Sequence, residues 1–127
     1  MNRTLIIGLV LISVGSVGLD AQEPMNLVNL VQRGDTYLTL ETLVPYSGPA
    51  FSVFPSDSNR IREQGTLRGG TWEGLYESFY FNGQVDSKIE YRDGEFDGSF
   101  ERYYFDGKVL AKGSYSMGVR CGEWIDE

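Results

Sequence analysis

The chain has 127 residues, enough for one domain, and its 11 Lys and Arg residues against 18 Asp and Glu residues give a net charge of −7. A charge of this sign repels nucleic-acid backbones and anionic lipid headgroups, so we expect no nucleic-acid partner and no binding to membrane surfaces. The sequence has no histidine and one cysteine, Cys121, which excludes Ser–His and Cys–His catalysis, His–metal sites and an internal disulfide, so we expect neither a metal nor a cofactor.

Residues 1–21 have the layout of a secretory signal peptide. Arg3 gives the start a positive charge, the stretch 5–17 is apolar or small without a charge, and Ala21 offers a small residue for cleavage before Gln22. The apolar stretch is shorter than the about 20 residues that a helix needs to span a bilayer. An uncleaved N-terminal anchor is the alternative. We expect an exported mature chain, either periplasmic or secreted.

Residues 22–43 are predicted to form a polar linker followed by a leading β-hairpin. Leu, Val and Thr are frequent on both sides of a turn at Gly34-Asp35, and this content favours strands. A single helical turn within 26–32 is the alternative. The repeat domain itself is expected to span 44–127.

The stretch from 74 to 121 repeats itself after 24 residues. Nine of 24 positions are identical between 74–97 and 98–121: Gly74/Gly98, Glu77/Glu101, Tyr80/Tyr104, Phe81/Phe105, Gly83/Gly107, Val85/Val109, Lys88/Lys112, Tyr91/Tyr115 and Gly94/Gly118. A fixed period of this length marks a repeat architecture, and the alternation with period 2 favours strands over helix. The predicted fold class is all-β: an elongated antiparallel β-meander of about three 24-residue hairpin repeats.

Each unit is predicted to contain two tight turns. Asn82-Gly83 and Asp106-Gly107 suit a two-residue type I′ turn, in which both central residues have positive φ. Such turns predict these cross-strand pairs: Phe81–Gln84, Tyr80–Val85, Phe79–Asp86, Glu77–Lys88, Tyr104–Val109, Tyr103–Leu110 and Glu101–Lys112. The second turn, Asp93-Gly94, predicts the pairs Arg92–Glu95 and Tyr91–Phe96. Strands are expected near 76–81, 85–92, 96–105 and 109–116.

The units at both ends of the repeat are predicted to be irregular. A first unit, 48–73, contains two extra residues, which we place in a longer polar loop at 55–59. Residues 122–127 begin a fourth unit, with Trp124 on a final edge strand. Acidic residues at its end discourage pairing with another chain. Cys121 is interpreted as an incidental thiol.

Four short motifs carry a family resemblance. They are F-N-G-Q-V at 81–85, Y-Y-F-D-G-K-V at 103–109, K-G-S-Y at 112–115 and the lead-in L-V-Q-R-G at 30–34. With these motifs the chain resembles the MORN-repeat variant of bacterial YwqK-type proteins, a family described as antitoxins. The resemblance implies a MORN-like fold and an antitoxin or immunity-like protein that neutralises a partner toxin. The chain departs from the family at Ile89, where glycine is usual, and in its export signal.

The aromatic residues of the repeat divide between the two faces of the sheet. One set is rich in tyrosine and the other in phenylalanine, and a sheet one layer thick cannot bury both. The tyrosine-rich set is predicted to be the exposed binding surface, because tyrosine with charged neighbours is typical of interfaces: Tyr76, Tyr80, Phe100 and Tyr104. The phenylalanine-rich set is then the buried one: Phe79, Phe81, Tyr103 and Phe105.

Catalysis is the least favoured function. Carboxylates are the remaining candidates for acid–base chemistry of the glycosidase kind: Glu77, Asp86, Glu95, Asp97 and Glu101. Lysines opposite two of them, and turns beside the others, favour structural roles. The sequence favours an exported, non-catalytic module for protein–protein interaction. The alternatives are the antitoxin, a MORN protein that binds membrane surfaces, and a carboxylate-dependent glycan enzyme.

Overall fold

The computed structural model describes residues 22–127. Residues 1–21, where the signal peptide is predicted, lie outside the described residues. The described part of the chain forms ten β-strands and a short 3-10 helix, Leu27–Asn29. Across 22–127, no helix reaches the length and apolar character needed to span a membrane.

The strands form one long sheet and one small hairpin. In chain order they are β1 (Met25–Asn26), β2 (Leu30–Arg33), β3 (Thr36–Thr39), β4 (Gly48–Phe54), β5 (Asp57–Arg68), β6 (Thr71–Phe79), β7 (Val85–Arg92), β8 (Glu95–Tyr103), β9 (Val109–Ser116) and β10 (Val119–Asp126). The long sheet has the order β1-β4-β5-β6-β7-β8-β9-β10, and β2 pairs with β3 as the leading hairpin. β1 is parallel to β4 and the other pairs are antiparallel. The predicted all-β meander of hairpins is confirmed.

The turns along one edge of the sheet are the expected two-residue turns. Asp93 and Gly94 have φ values of 50° and 83°, the positive values that a type I′ turn requires. Both predicted flanking pairs are present: Arg92–Glu95 and Tyr91–Phe96. Met117-Gly118 repeats this turn 24 residues later, again with positive φ at both residues.

The turns along the opposite edge differ from the prediction by one residue. At Asn82-Gly83 only the glycine has a positive φ, 91°. The loop contains three residues, because Gly83 N donates to Tyr80 O and Tyr80 N donates to Gln84 O. The Asn82 side chain accepts a hydrogen bond from Gln84 N at 2.9 Å, which holds the asparagine in an ordinary turn conformation. The type I′ prediction is therefore wrong at this edge.

The extra loop residue displaces the pairs next to each turn, and a strand bulge then restores the register. Phe79 lies opposite Val85, whereas Glu77 lies opposite Lys88 as predicted. The next unit repeats both features, with Tyr103 opposite Val109 and Glu101 opposite Lys112. The predicted pairs beside the turns are wrong: Phe81–Gln84, Tyr80–Val85, Phe79–Asp86, Tyr104–Val109 and Tyr103–Leu110.

The two extra residues of the first unit lie in a strand and not in a loop. Phe54 pairs with Asp57 across a two-residue turn, so the predicted loop at 55–59 is wrong. Residues 58–60 instead bulge out of β5. The Asp57 carboxylate accepts from Arg60 Nε at 3.0 Å and stabilises this bulge.

One face of the long sheet carries a continuous series of aromatic rings, which we call the aromatic spine. Its rings contact one another in this order: Tyr37, Trp72, Tyr76, Tyr91, Phe96, Phe100, Tyr115 and Trp124. Neighbouring centroids lie between 4.9 and 6.1 Å apart, mostly edge to face, as the ring quadrupoles favour. Arg120 stacks on the last ring, with its Cζ 3.7 Å from the Trp124 centroid.

The β2–β3 hairpin and the 3-10 helix before it add a second layer over the first unit. The buried side chains between the layers form one cluster: Leu27, Leu30, Tyr46, Ala50 and Leu67. Tyr37 and Trp72 pack against this cluster and connect it to the spine. The core therefore has two layers near the N-terminal end of the sheet, and in the later units it consists mainly of the spine.

Acidic side chains tie each unit to the turn of the next. Glu73 accepts from the backbone N of Asp93, and 24 residues later Asp97 accepts from the backbone N of Met117, each at 2.8 Å. Cys121 occupies the same repeat position in the last unit and is exposed. The recurring carboxylate is therefore part of the connection between units.

Phe100→Ala is expected to cost about 3 to 5 kcal/mol, because it leaves a cavity in the spine. Phe100 is 9% exposed, whereas Phe105, in a turn, is 60% exposed, and Phe105→Ala is expected to cost less than about 1 kcal/mol. Urea unfolding followed by circular dichroism measures both values. Equal losses would contradict the assignment of the spine as the core.

Asp97→Ala is expected to destabilise the fold by about 1 kcal/mol, because the Met117 N–H and the Arg92 guanidinium both lose their acceptor. The matched control is Cys121→Ala at the same repeat position, for which we expect a change within about 0.5 kcal/mol. Thermal unfolding of both variants and the wild type measures the difference. Similar melting temperatures for all three would show that the carboxylate does not connect the units.

Candidate interaction surfaces

The structure separates the four predicted binding residues into two pairs. Tyr76 and Phe100 are members of the spine, and Phe100 is buried at 9% exposure while Tyr76 is half-buried. The expectation of an exposed tyrosine-rich face is therefore wrong for this pair. The physical reason is that the rings on this face pack against one another.

Tyr76 is also fixed by hydrogen bonds. Its hydroxyl donates to one carboxylate oxygen of Glu63 at 2.8 Å, and the Ser52 hydroxyl donates to the other at 2.7 Å. Burial, followed by the charge of Glu63, raises the pKa of Tyr76 above the usual tyrosine value. Tyr76 therefore stays protonated at neutral pH and acts as a structural contact between β5 and β6.

Tyr80 and Tyr104 lie at the tips of two neighbouring hairpins. Tyr104 is 42% exposed. Tyr80 is half-buried, since its hydroxyl donates to the backbone O of Tyr103 at 2.7 Å and its ring lies 5.7 Å from the Phe105 ring. Contacts of this kind join one hairpin tip to the next.

Two residues of the phenylalanine-rich set extend the surface at the tips. Phe81 and Phe105 are 46% and 60% exposed, because each lies inside its three-residue turn and not in the sheet. The expectation that they belong to a buried set is therefore wrong. Phe81 packs edge-on against Phe54 at 5.3 Å, and Arg60 Cζ lies 4.6 Å from the Phe81 centroid. We call this surface the aromatic tip ridge: Phe54, Tyr80, Phe81, Tyr104 and Phe105.

The sheet face opposite the spine carries an apolar groove of about 440 Å³. Its apolar lining includes Pro24, Pro49, Phe51, Ile61 and Leu75, with Gln64 and Glu77 beside them. Sequence reasoning missed this groove, because its walls come from separate parts of the chain: the segment before β1, and strands β4, β5 and β6. One sequence feature pointed to this face: Leu75, Glu77 and Phe79 alternate with Tyr76 and so lie on the face opposite it.

The candidate catalytic carboxylates lie apart along the sheet in structural contacts. Asp97 caps a turn, Glu101 lies 3.9 Å from Lys112 Nζ, and Glu77 accepts from Gln64 Nε2 at 3.2 Å. The other two lie beside irregular backbone: Asp86 at the bulge of β7 and Glu95 next to a turn. Within 22–127, no three His, Cys, Asp or Glu side chains are grouped so that they would hold a metal.

Tyr103 gives a spectroscopic test of one of these contacts. Its hydroxyl donates to Glu101, and this hydrogen bond, with a smaller effect of burial, raises the pKa of Tyr103 from 10.0 to about 12. Because the folded pKa is the higher one, the associated stability is fully present below pH 10 and is lost as the pH rises toward 12. Glu101→Gln is expected to return the pKa of Tyr103 toward 10.0.

Absorbance titration of the phenolate, with Tyr103→Phe identifying the Tyr103 signal, measures this change. An identical titration curve for Glu101→Gln and the wild type would show that the contact does not form in solution.

A single sheet in which turns, bulges and aromatic positions recur every 24 residues defines the class of β-hairpin repeat proteins. Within this class, two stretches match the family model described as MORN repeat variant, residues 72–93 and 96–117. They cover the β6–β7 and β8–β9 hairpins, so the chain contains MORN-variant repeats as its motifs predicted. No curated protein and no solved structure matches the chain. The likeness to YwqK-type antitoxins stays a prediction.

Proposed function

We propose that the protein is an exported, non-catalytic repeat module, periplasmic or secreted, that binds a partner protein through its aromatic tip ridge. One observation carries the proposal: Phe81, Tyr104 and Phe105 are 46%, 42% and 60% exposed. Rings in the spine are covered by their neighbours, whereas these rings keep much of their apolar surface in water. Large, rigid aromatic side chains contribute much of the binding energy at protein interfaces.

The rigidity of the tips supports the same function. Arg60 Nη1 donates to Phe81 O at 2.7 Å, and Asn82 Nδ2 donates to Phe105 O at 3.4 Å. Together with the bond from Tyr80 to Tyr103 O, these contacts join three successive tips. A surface held in this way loses little conformational entropy when a partner binds.

The remaining parts of the proposal rest on charge and sequence. A net charge of −7 favours a protein partner over nucleic acid or an anionic membrane. The chain has no histidine, and three of the five candidate carboxylates have structural partners, which favours binding over catalysis. The MORN-variant repeats are in keeping with a scaffold for binding. The signal-like composition of residues 1–21 supports export.

In-cell cross-linking tests the proposal. A photo-reactive amino acid in place of Phe105 is expected to capture one specific protein. That protein is then purified, and its affinity for the wild-type chain is measured. The double variant Tyr104→Ser with Phe105→Ser is expected to weaken that affinity at least about tenfold, since central aromatic contacts each contribute about 2 kcal/mol or more. The melting temperature should stay within a few degrees, because both side chains are exposed.

The matched control is Met117→Ser with Val119→Ser on the opposite edge, where these residues are 76% and 67% exposed. This variant is expected to bind the partner as the wild type does. Failure to capture a specific protein, or equal loss of affinity in both double variants, would refute the proposed role of the tip ridge.

A further inference from the structure

The groove on the face opposite the spine has the chemistry of a peptide-binding site. We infer that it binds an extended segment of the partner protein in which a Lys or Arg side chain lies next to bulky apolar side chains. This inference rests on the proposed protein-binding function. Beyond that function, it places a second contact with the partner in the groove and specifies a positively charged segment for that contact.

The walls of the groove are apolar and open to solvent. Leu75 is 50% exposed and Ile61 is 36% exposed, and both face a concavity of about 440 Å³ that Phe51 and two prolines also line. Isolated exposed apolar residues are ordinary on protein surfaces, whereas apolar residues around one concavity of this size are typical of binding sites. The groove therefore suits apolar side chains of a ligand.

The charge at the groove selects among apolar ligands. Glu77 is the one charged residue in its lining. Lys88 lies opposite Glu77 in the backbone register, yet among the described residues Glu77 forms no ion pair, whereas Glu101 pairs with Lys112 in the next unit. The Glu77 carboxylate accepts only from the neutral amide of Gln64. It is therefore available to a cation on the ligand, at the side of an apolar surface.

The groove also continues toward the tip ridge. Ile61 and Gln64 line both this groove and a second concavity of about 250 Å³, which reaches Phe79 and Phe81. Arg60 lies in that second concavity, but its guanidinium is already paired with the Asp57 carboxylate and donates to the backbone O of Phe81. A segment lying in the groove would thus lead to the tip ridge without meeting an unpaired positive charge.

Charge complementarity favours such a segment over a second copy of this chain. Each copy carries a net charge of −7, so two copies repel each other, and a negatively charged membrane is disfavoured for the same reason. A basic and apolar segment instead satisfies the Glu77 carboxylate and the walls of the groove together.

Three labelled nonapeptides and the purified protein test the inference by fluorescence anisotropy at physiological salt. The first alternates leucine and lysine, the second has glutamate in place of each lysine, and the third has serine in place of each leucine. The first peptide is expected to bind at least about tenfold more tightly than the other two, since both charge and apolar contact contribute. Equal binding of the lysine and glutamate peptides, or of the leucine and serine peptides, would overturn the inference.

Matched variants locate the binding. Glu77→Gln is expected to weaken binding of the leucine–lysine peptide about three- to tenfold, whereas Glu123→Gln, which removes the same charge from the exposed strand β10, leaves it unchanged. Leu75→Asp is expected to weaken binding at least about tenfold, whereas Val119→Asp does not. Because all four residues lie on the sheet surface or are half-buried, melting curves are expected to show folded proteins. Equal effects within either pair would assign the binding to non-specific attraction.

The same variants separate this inference from the proposed function. If the partner captured at the tip ridge binds Leu75→Asp and Glu77→Gln as tightly as the wild type, the groove inference fails and the function of the ridge stands. A concentration-dependent dimer that Leu75→Asp abolishes would identify a second copy as the occupant and overturn the inference. Binding to vesicles of anionic lipid that Leu75→Asp abolishes would overturn it as well.

Discussion

Edge-to-face contact between aromatic rings is the interaction on which the fold depends. Beyond the first unit, none of the described residues forms a second layer above the apolar face of the sheet, so the rings have to cover one another. Two backbone positions make room for them: a Cβ at Gly65 would lie 3.0 Å from the Trp72 ring, and a Cβ at Gly113 would overlap the Trp124 ring. Midway between them in the repeat, Ile89 is buried at 6% exposure. There an aliphatic side chain takes the place that a tryptophan ring occupies beside the glycine in the other two units.

Concentrating the core on one face leaves the other face and the hairpin tips free for recognition. The three-residue turns are important for this arrangement, because each one takes a phenylalanine out of the sheet and holds it at the edge. The two edges of the sheet consequently differ. One edge carries tight turns connected by carboxylates, and the other carries exposed rings connected by hydrogen bonds to backbone oxygens.

Much of the fold is predictable from local rules, whereas the site is not. The 24-residue period, the alternation and the Asp93-Gly94 turn follow from residue types alone. Asn82 is ambiguous, because its side chain can cap an ordinary turn as readily as the residue can adopt positive φ, and this one-residue difference places Phe81 at the tip. Tyr76 is held by rings on both sides and by Glu63 in the neighbouring strand, contacts that its own segment does not reveal. The groove includes Pro24, and no sequence motif predicts the parallel pairing of β1 with β4 that brings Pro24 to this face.

The second layer over the first unit makes the two ends of the long sheet structurally different. Leu67 and its neighbours are enclosed between hairpin and sheet, whereas β10 contacts the sheet along one side and carries the stacked pair Arg120 and Trp124. Opening of a repeat protein is governed by nearest-neighbour contacts. We therefore expect the sheet formed by the described residues to open from β10 inward, one hairpin at a time, with the unit under the leading hairpin opening last. A mechanical pull on the C-terminus would unzip the repeats in order, while the same pull on the N-terminal unit would meet the whole two-layer core at once.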